Sequence, residues 1–481
     1  MLFHTWHFFL FLAVAYPGFL LLRKTRYMNV WLLAASYFFY GWWNPLYLFL
    51  IIYSTALDYY VGLKLDPVRS CHFTSNGVDR LSRRGTPING VWQSRKMWLT
   101  LSVVNNLFLL GFFKYAGFVT DNLNTLFSWL HLGLAIPPPG ILLPIGISFF
   151  TFQSMSYSID VYRGQFQAER NFIKFATFVA FFPQLIAGPI ERAKSLLPQL
   201  QRARRISASD VADGLSLFVV GLFKKVALAD FLAIYVDKIY SDPTNYGSLS
   251  LICATYAFAW QIYFDFSGYT DMARGLAKAM GIKLTLNFNN PYTATGLRDF
   301  WRRWHITLST WFRDYVYIPL GGNRQGRNRT YLYILLTMVV AGFWHGAAWK
   351  FILWGALHAL GRVLTGDLEK TTLYEKIPRI VRQLLTFHFI CFTWVFFRAE
   401  SLSDAVLILQ RIFTGTGSSP EGPVVMFAII AAVWLYQLIF SSRAKKILEL
   451  RLLRIVLMLL MLIYLMIFTT AGHEPFIYFQ F

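Results

Sequence analysis

The chain has 481 residues, of which 56% are hydrophobic, 18% aromatic and only 14% charged, with a mean hydropathy of +0.45. That balance is too apolar for a soluble globular protein and assigns the chain to a bilayer; with no alternating barrel strands, it is an all-α polytopic membrane protein. The net charge of +21 does not indicate nucleic acid, because Lys and Arg fall in short linkers between apolar runs, the pattern that orients a membrane protein.

Residues 5–22 form the first apolar run. Ala13-Val14-Ala15 has the small residues of a cleavage site, yet no basic segment precedes it and Arg23, Lys24 and Arg26 follow it, so it is read as a retained span. Further runs near 27–43, 46–63, 97–114, 141–160, 209–231, 248–266, 330–344, 347–364, 383–398, 424–440 and 455–471 predict spans of similar kind. Residues 115–131 and 172–188 are apolar but short, the second broken by Pro183 and by Gly188-Pro189. Both are expected to be interfacial or re-entrant, which sets the count at ten to twelve spans within a single membrane domain, 1–481.

Alternate linkers are basic: 23–26, 64–97, 191–210, 283–329, 361–382 and 441–454 each carry three to eight Lys or Arg, whereas 130–140 has no charge and 229–250 and 399–423 are acidic. The basic set is expected in the cytoplasm, with residues 64–97 as a polar, basic cytoplasmic loop. Both termini are then periplasmic or exterior, with the cell inner membrane as the location. Cys71, Cys253 and Cys391 are too far apart for a zinc or disulfide framework, and no internal repeat marks a two-fold transporter.

Drawn as one helix, residues 298–314 place Trp301, His305, Leu308 and Phe312 on an apolar stripe and Arg302, Ile306, Ser309 and Arg313 on a more polar face. His345 lies in the apolar segment 330–357. An ionisable group at that depth marks a functional site by default. Asp265 has no partner in its own segment, so it either neutralises Arg302 or Arg303 or orients a histidine, whereas Asp271 and Arg274 pair at i,i+3. Lys350 and His358 also interrupt the apolar stretch and receive no catalytic role. His305, His345 and Asp265 have the ligand types of a metal site but not its spacing, and GxSxG, P-loop and GxGxxG motifs are lacking, so no metal and no bound cofactor are expected. A neutral imidazole beside basic loops suits removal of a proton from a hydroxyl attacking an acyl thioester, with arginines for the donor's phosphates.

The runs Phe300-Trp301-Arg302-Arg303-Trp304-His305, Trp311-Phe312-Arg313-Asp314-Tyr315, Ile318-Pro319-Leu320-Gly321-Gly322-Asn323-Arg324 and Trp344-His345-Gly346 closely resemble the membrane-bound O-acyltransferase family. Tyr263-Phe264-Asp265-Phe266-Ser267-Gly268-Tyr269 and the ending Phe476-Ile477-Tyr478-Phe479-Gln480-Phe481 resemble its bacterial alginate O-acetyltransferase branch, and the densest block is 261–346. The resemblance implies a helical bundle with a central tunnel and His345 as the catalytic residue, with His305 as its second site residue. The loop at 64–97 is longer than this branch suggests, which leaves the polymer and partner open.

The expected activity is therefore transfer of acetyl from a cytoplasmic thioester, acetyl-CoA or an acyl carrier, to a hydroxyl on an exported polysaccharide or a periplasmic partner protein. Arg302, Arg303 and Trp304 are the expected donor-binding residues and Asp265 and Trp344 the supporting ones. Three alternatives stand beside it: D-alanyl or other acyl transfer to an envelope polymer, a carrier without chemistry, and a structural organiser of an export complex.

Overall fold

The computed structural model describes residues 1–66, 89–201, 205–415, 424–442 and 450–468. The middle of the expected 64–97 loop and the ending at 476–481 lie outside these residues. Within them all regular structure is helical, and each of the twelve predicted runs carries a helix. Among the described residues, three helical stretches are both long and apolar enough to cross a membrane: Leu46–Leu65, Ser94–Trp129 and Arg379–Arg398. The second corrects an expectation. Residues 116–129 do not form a separate interfacial helix but continue the one before them through a π-helical turn at Gly111–Tyr115.

The helices are α1 (Trp6–Leu22), α2 (Met28–Gly41), α3 (Leu46–Leu65), α4 (Asn89–Leu110), α5 (Ala116–Trp129), α6 (Ile147–Tyr162), α7 (Phe172–Ala180), α8 (Ala193–Gln201), α9 (Ala208–Phe223), α10 (Asp230–Tyr240) and α11 (Ser248–Ala279). Beyond them lie α12 (Leu297–Arg303), α13 (Ile306–Phe312), α14 (Ile318–Leu320), α15 (Arg327–His345), α16 (Trp349–Thr365), α17 (Thr372–Lys376), α18 (Arg379–Arg398), α19 (Leu402–Thr414), α20 (Val424–Ser441) and α21 (Arg451–Phe468). The chain divides into two compact units, Met1–Val211 with Ala277–Leu284, and Ala212–Leu276 with Thr285–Phe481.

In the first unit, α2, α3, α6 and α7 enclose an aromatic core. Phe175 packs on Tyr157 at 4.6 Å between ring centroids, and Phe39 on Phe182 at 5.8 Å. Short α7 begins with Asn171, whose side chain accepts a hydrogen bond from Lys174 N, and satisfies one of the amides that every helix start leaves open.

The second unit carries most of the block 261–346 and is built on two close backbone approaches. Helices α9 and α11 touch at Gly221 and Gly268, where a Cβ on Gly221 would stand 2.5 Å from the Gly268 carbonyl oxygen. Helices α15 and α16 form a hairpin in which a Cβ on Gly342 would stand 2.2 Å from the Phe351 oxygen, and one on Gly355 2.2 Å from the Met338 oxygen. Only hydrogen at these positions lets the backbones meet, the means by which small residues join helices in a membrane. A π-helical turn at Lys224–Ala229 then directs two lysines at α11. Lys225 bridges Asp265 at 2.8 Å and Asp230 at 2.7 Å, and Lys224 binds Asp271 at 2.7 Å. Asp265 therefore neutralises Lys225 and not Arg302 or Arg303. Its partner lies forty residues back in sequence, beyond any local pairing pattern.

The hairpin contact sets a stability test. Gly355→Ala is expected to lower the stability of the solubilised protein by about 1–3 kcal/mol through overpacking. Gly117→Ala on α5, where a Cβ meets nothing within 4 Å, is expected to leave it unchanged or slightly raised. Thermal unfolding of both variants side by side checks this, and equal midpoints would contradict it.

Candidate functional site

A cavity of about 560 Å³ opens within the second unit. One wall is a face of α15, where Ile334, Thr337, Met338 and Ala341 recur at helical spacing and lead to His345 at the helix end. The facing wall comes from α12, α13 and the turn after it: Arg298, Trp301, Arg302, Ile306, Ser309, Arg313 and Tyr317. Arg362 of α16 closes the lining.

His345 is 3% exposed, and its ring is held by Trp344 at 5.0 Å, Trp354 at 5.2 Å and Phe397 at 5.5 Å. Gly346, the residue that ends α15, lies against Phe351, where a Cβ would come within 2.1 Å of the ring. The α15 terminus is thus fixed by packing on both sides, with His345 in the cavity lining.

The segment expected as a single helix at 298–314 is two helices, α12 and α13, broken at Trp304 and His305. His305 sits in the left-handed region at φ 41°, ψ 56°, uncommon for a residue with a side chain. Asn287 supplies the physical reason. Its carbonyl oxygen accepts from Ile306 N at 2.9 Å, and its Oδ1 accepts from Thr307 N at 3.2 Å and Thr307 Oγ1 at 2.9 Å. These bonds satisfy the first amides of α13 from outside the helix. The same Oδ1 lies 3.1 Å from His305 Nδ1. Since the atom that accepts from Thr307 N is the amide oxygen, which carries no hydrogen, His305 donates to it from Nδ1.

His305 is wholly buried and does not border the cavity. It packs on Phe266 at 4.7 Å and on Trp344 at 6.4 Å, so the Trp344 ring lies against both histidines. Of the expected donor-binding residues, Arg302 lines the cavity. Arg303 turns to Asp299 at 2.7 Å, and Trp304 is buried between Phe288 at 5.0 Å and Trp394 at 5.2 Å. The whole polar face read from the sequence, Arg302, Ile306, Ser309 and Arg313, does border the cavity despite the break.

Sequence reasoning missed Arg298, Arg362 and Asn287. Arg362 falls in the last turn of an apolar helix, where an arginine reads as a residue reaching for the interface. It stands within electrostatic reach of Arg298 and Arg302, with Glu369 opposing them. Burial pushes the Tyr317 phenol up, against the pull of Arg362 and Arg298. Arg298, Arg302 and Arg362 make no ion pair among the described residues, so the cavity presents guanidinium groups whose counter-charge a ligand could bring.

Residues 166–402 match the sequence profile of MBOAT, the membrane-bound O-acyltransferase family. The chain is 43% identical over 415 residues to the probable alginate O-acetylase AlgI of Azotobacter vinelandii, covering 84% of this chain and 76% of that protein. It is 36% identical over 447 residues to the peptidoglycan O-acetyltransferase of Helicobacter pylori, covering 85% and 79%, and 30% identical over 280 residues to the teichoic acid D-alanyltransferase of Bacillus subtilis, covering 55% and 71%.

The Asn287 clamp gives a test of the site's construction. Asn287→Ala leaves Thr307 N and the His305 imidazole without their acceptor, at a cost of about 1–3 kcal/mol for each buried group left unsatisfied. A lowered unfolding midpoint is expected, and an unchanged one would show that the clamp holds nothing.

Proposed function

The chain belongs to the membrane-bound O-acyltransferase family, and from that premise we propose that it moves acetyl from acetyl-CoA, or another cytoplasmic acyl thioester, to a hydroxyl for O-acetylation of an exported polysaccharide such as alginate. It is an acyltransferase and an integral membrane protein. The observation that carries the finer reading is His345 at the wall of a cavity that also holds Arg298, Arg302 and Arg362.

His345 acts as general base. Its neutral imidazole takes the proton of the acceptor hydroxyl as that oxygen bonds to the thioester carbonyl carbon; the carbon–sulfur bond breaks, and the imidazolium returns the proton to the leaving thiolate. Such a base contributes typically ~10² to 10⁴ in rate. Arg298, Arg302 and Arg362 take the donor's phosphates, where planar guanidinium groups bind in fixed geometry. His305 is a positioning residue that acts through Trp344, since that ring contacts both imidazoles. Asp265 supports the site by fixing α11 to Lys225, while Arg303 and Trp304 hold α12 in place.

The basic linkers mark the cytoplasmic side in this reading, which leaves both termini outside and block 261–346 as the part that carries the site. The acceptor is a hydroxyl on the far side or a periplasmic partner protein that passes the acetyl on. A second reading, acyl transfer to peptidoglycan or another envelope polymer, is favoured by the likeness over 85% of the chain to the peptidoglycan enzyme. Purified protein given labelled acetyl-CoA with alginate or peptidoglycan fragments in parallel separates the two by which product is labelled.

In that assay His345→Ala is expected to lose at least ~10² of the transfer rate. Full activity in this variant would end the general-base reading. Arg362→Ala is expected to raise the KM for donor roughly tenfold or more, the worth of a hydrogen bond to a charged group, with a smaller change in kcat. Movement of label across the membrane without transfer would identify a carrier instead.

A further inference from the structure

Helices α3, α4 and α6 of the first unit meet around Asp58, which is wholly buried in a helix long and apolar enough to cross a membrane. Its polar neighbours, Ser102, Asn106 and Ser154, are all neutral. Ser102 Oγ lies 2.6 Å from Asp58 Oδ1 and 3.0 Å from Ser158 Oγ. Asn106 Nδ2 donates to Oδ1 at 3.2 Å and to Oδ2 at 2.9 Å.

Among the described residues no cation pairs with Asp58. The charged and titratable groups on the surrounding helices are engaged elsewhere. Lys64 lies over the Tyr60 ring on α3, and Arg95 of α4 donates to the Leu65 and Tyr162 oxygens. On α6, Tyr157 OH accepts from Glu169 N, and Asp160 lies two residues beyond Ser158, on the opposite side of the helix. Helix α2 has no charged residue, and Lys174 of α7 stands in its partly exposed first turn.

A bare carboxylate at such a place costs several kcal/mol unless it is paired. Keeping the proton removes that cost. The hydrogen bonds also allow it, because Ser102 has one hydroxyl proton and touches two acceptors. With Asp58 protonated, its O–H donates to Ser102 and Ser102 donates to Ser158, so the acid proton and the Ser102 proton each have one acceptor. With Asp58 ionised, the run reverses, Ser158 donating to Ser102 and Ser102 to the carboxylate. Either direction satisfies Ser102, so the row accommodates arrival or loss of one proton by turning two hydroxyls.

We propose that Asp58 is a proton-binding site inside the helix bundle, held as a neutral carboxylic acid with Ser102 and Ser158 as a reversible hydroxyl relay. The proton exchanges with solvent water and takes no part in acyl transfer. The site belongs to the first unit and the acyltransferase cavity to the second, so it stands or falls on its own.

Infrared spectroscopy of the full chain in lipid nanodiscs at neutral pH tests it, with carboxyl-¹³C aspartate against unlabelled protein. The expected result is a protonated-carboxyl C=O band that moves on labelling, is lost in Asp58→Asn, and changes frequency in Ser102→Ala, where its hydrogen-bond partner is gone. A wild-type protein without the band, or a band that persists in Asp58→Asn, overturns the proposal. So does a band that emerges only when sodium is replaced by choline, since Asp58 would then hold a metal cation in place of the proton. Should Asp58→Asn fail to fold, the Ser102→Ala shift decides alone: an unmoved band rejects the assignment.

Discussion

Backbone meets backbone at Gly342 and Gly355, and the placement of His345, the proposed base, depends on that contact. With α15 and α16 this near, α15 must end at the short Gly346 turn, and His345 is carried to the cavity wall among Trp344, Trp354 and Phe397. Three large rings pack on the imidazole. A helix end, and not a loop, places His345, which suits the proposed proton transfer, a step whose rate depends on alignment to within fractions of an ångström.

The charges of this unit fall into two groups with different physics. Lys225 with Asp230 and Asp265, and Lys224 and Arg274 with Asp271, are paired side chains within and between packed helices, the usual fate of charge at membrane depth. Arg298, Arg302 and Arg362 instead border an open cavity and make no ion pair among the described residues. Clustered guanidinium groups repel one another, and the fold keeps them together where an anionic ligand would relieve that repulsion. The first group builds the scaffold, and the second is the proposed seat of the donor's phosphates.

Much of the helical order was legible because apolar runs and basic linkers are local signals, and all twelve runs carry helices. The face Arg302, Ile306, Ser309 and Arg313 was legible too, although the single helix that suggested it is broken. The break was not, since it depends on Asn287, a tertiary partner that stabilises His305 in a left-handed conformation uncommon for any residue but glycine. Likewise Lys225 was out of reach as the partner of Asp265, because a π-helical turn forty residues away aims it. His345 could be singled out from its depth alone, whereas separating Arg302 from Arg303 required seeing Asp299 claim the second.

In the proposed reaction donor phosphates and the thioester occupy the cavity together, with the reacting carbonyl at His345. Cryo-electron microscopy of the protein in nanodiscs with a non-reactive thioether analogue of acetyl-CoA tests this most directly. Density is expected within the cavity, with phosphates against Arg298, Arg302 and Arg362 and the acyl end in contact with the His345 ring. Analogue bound elsewhere, with this cavity empty, would contradict it.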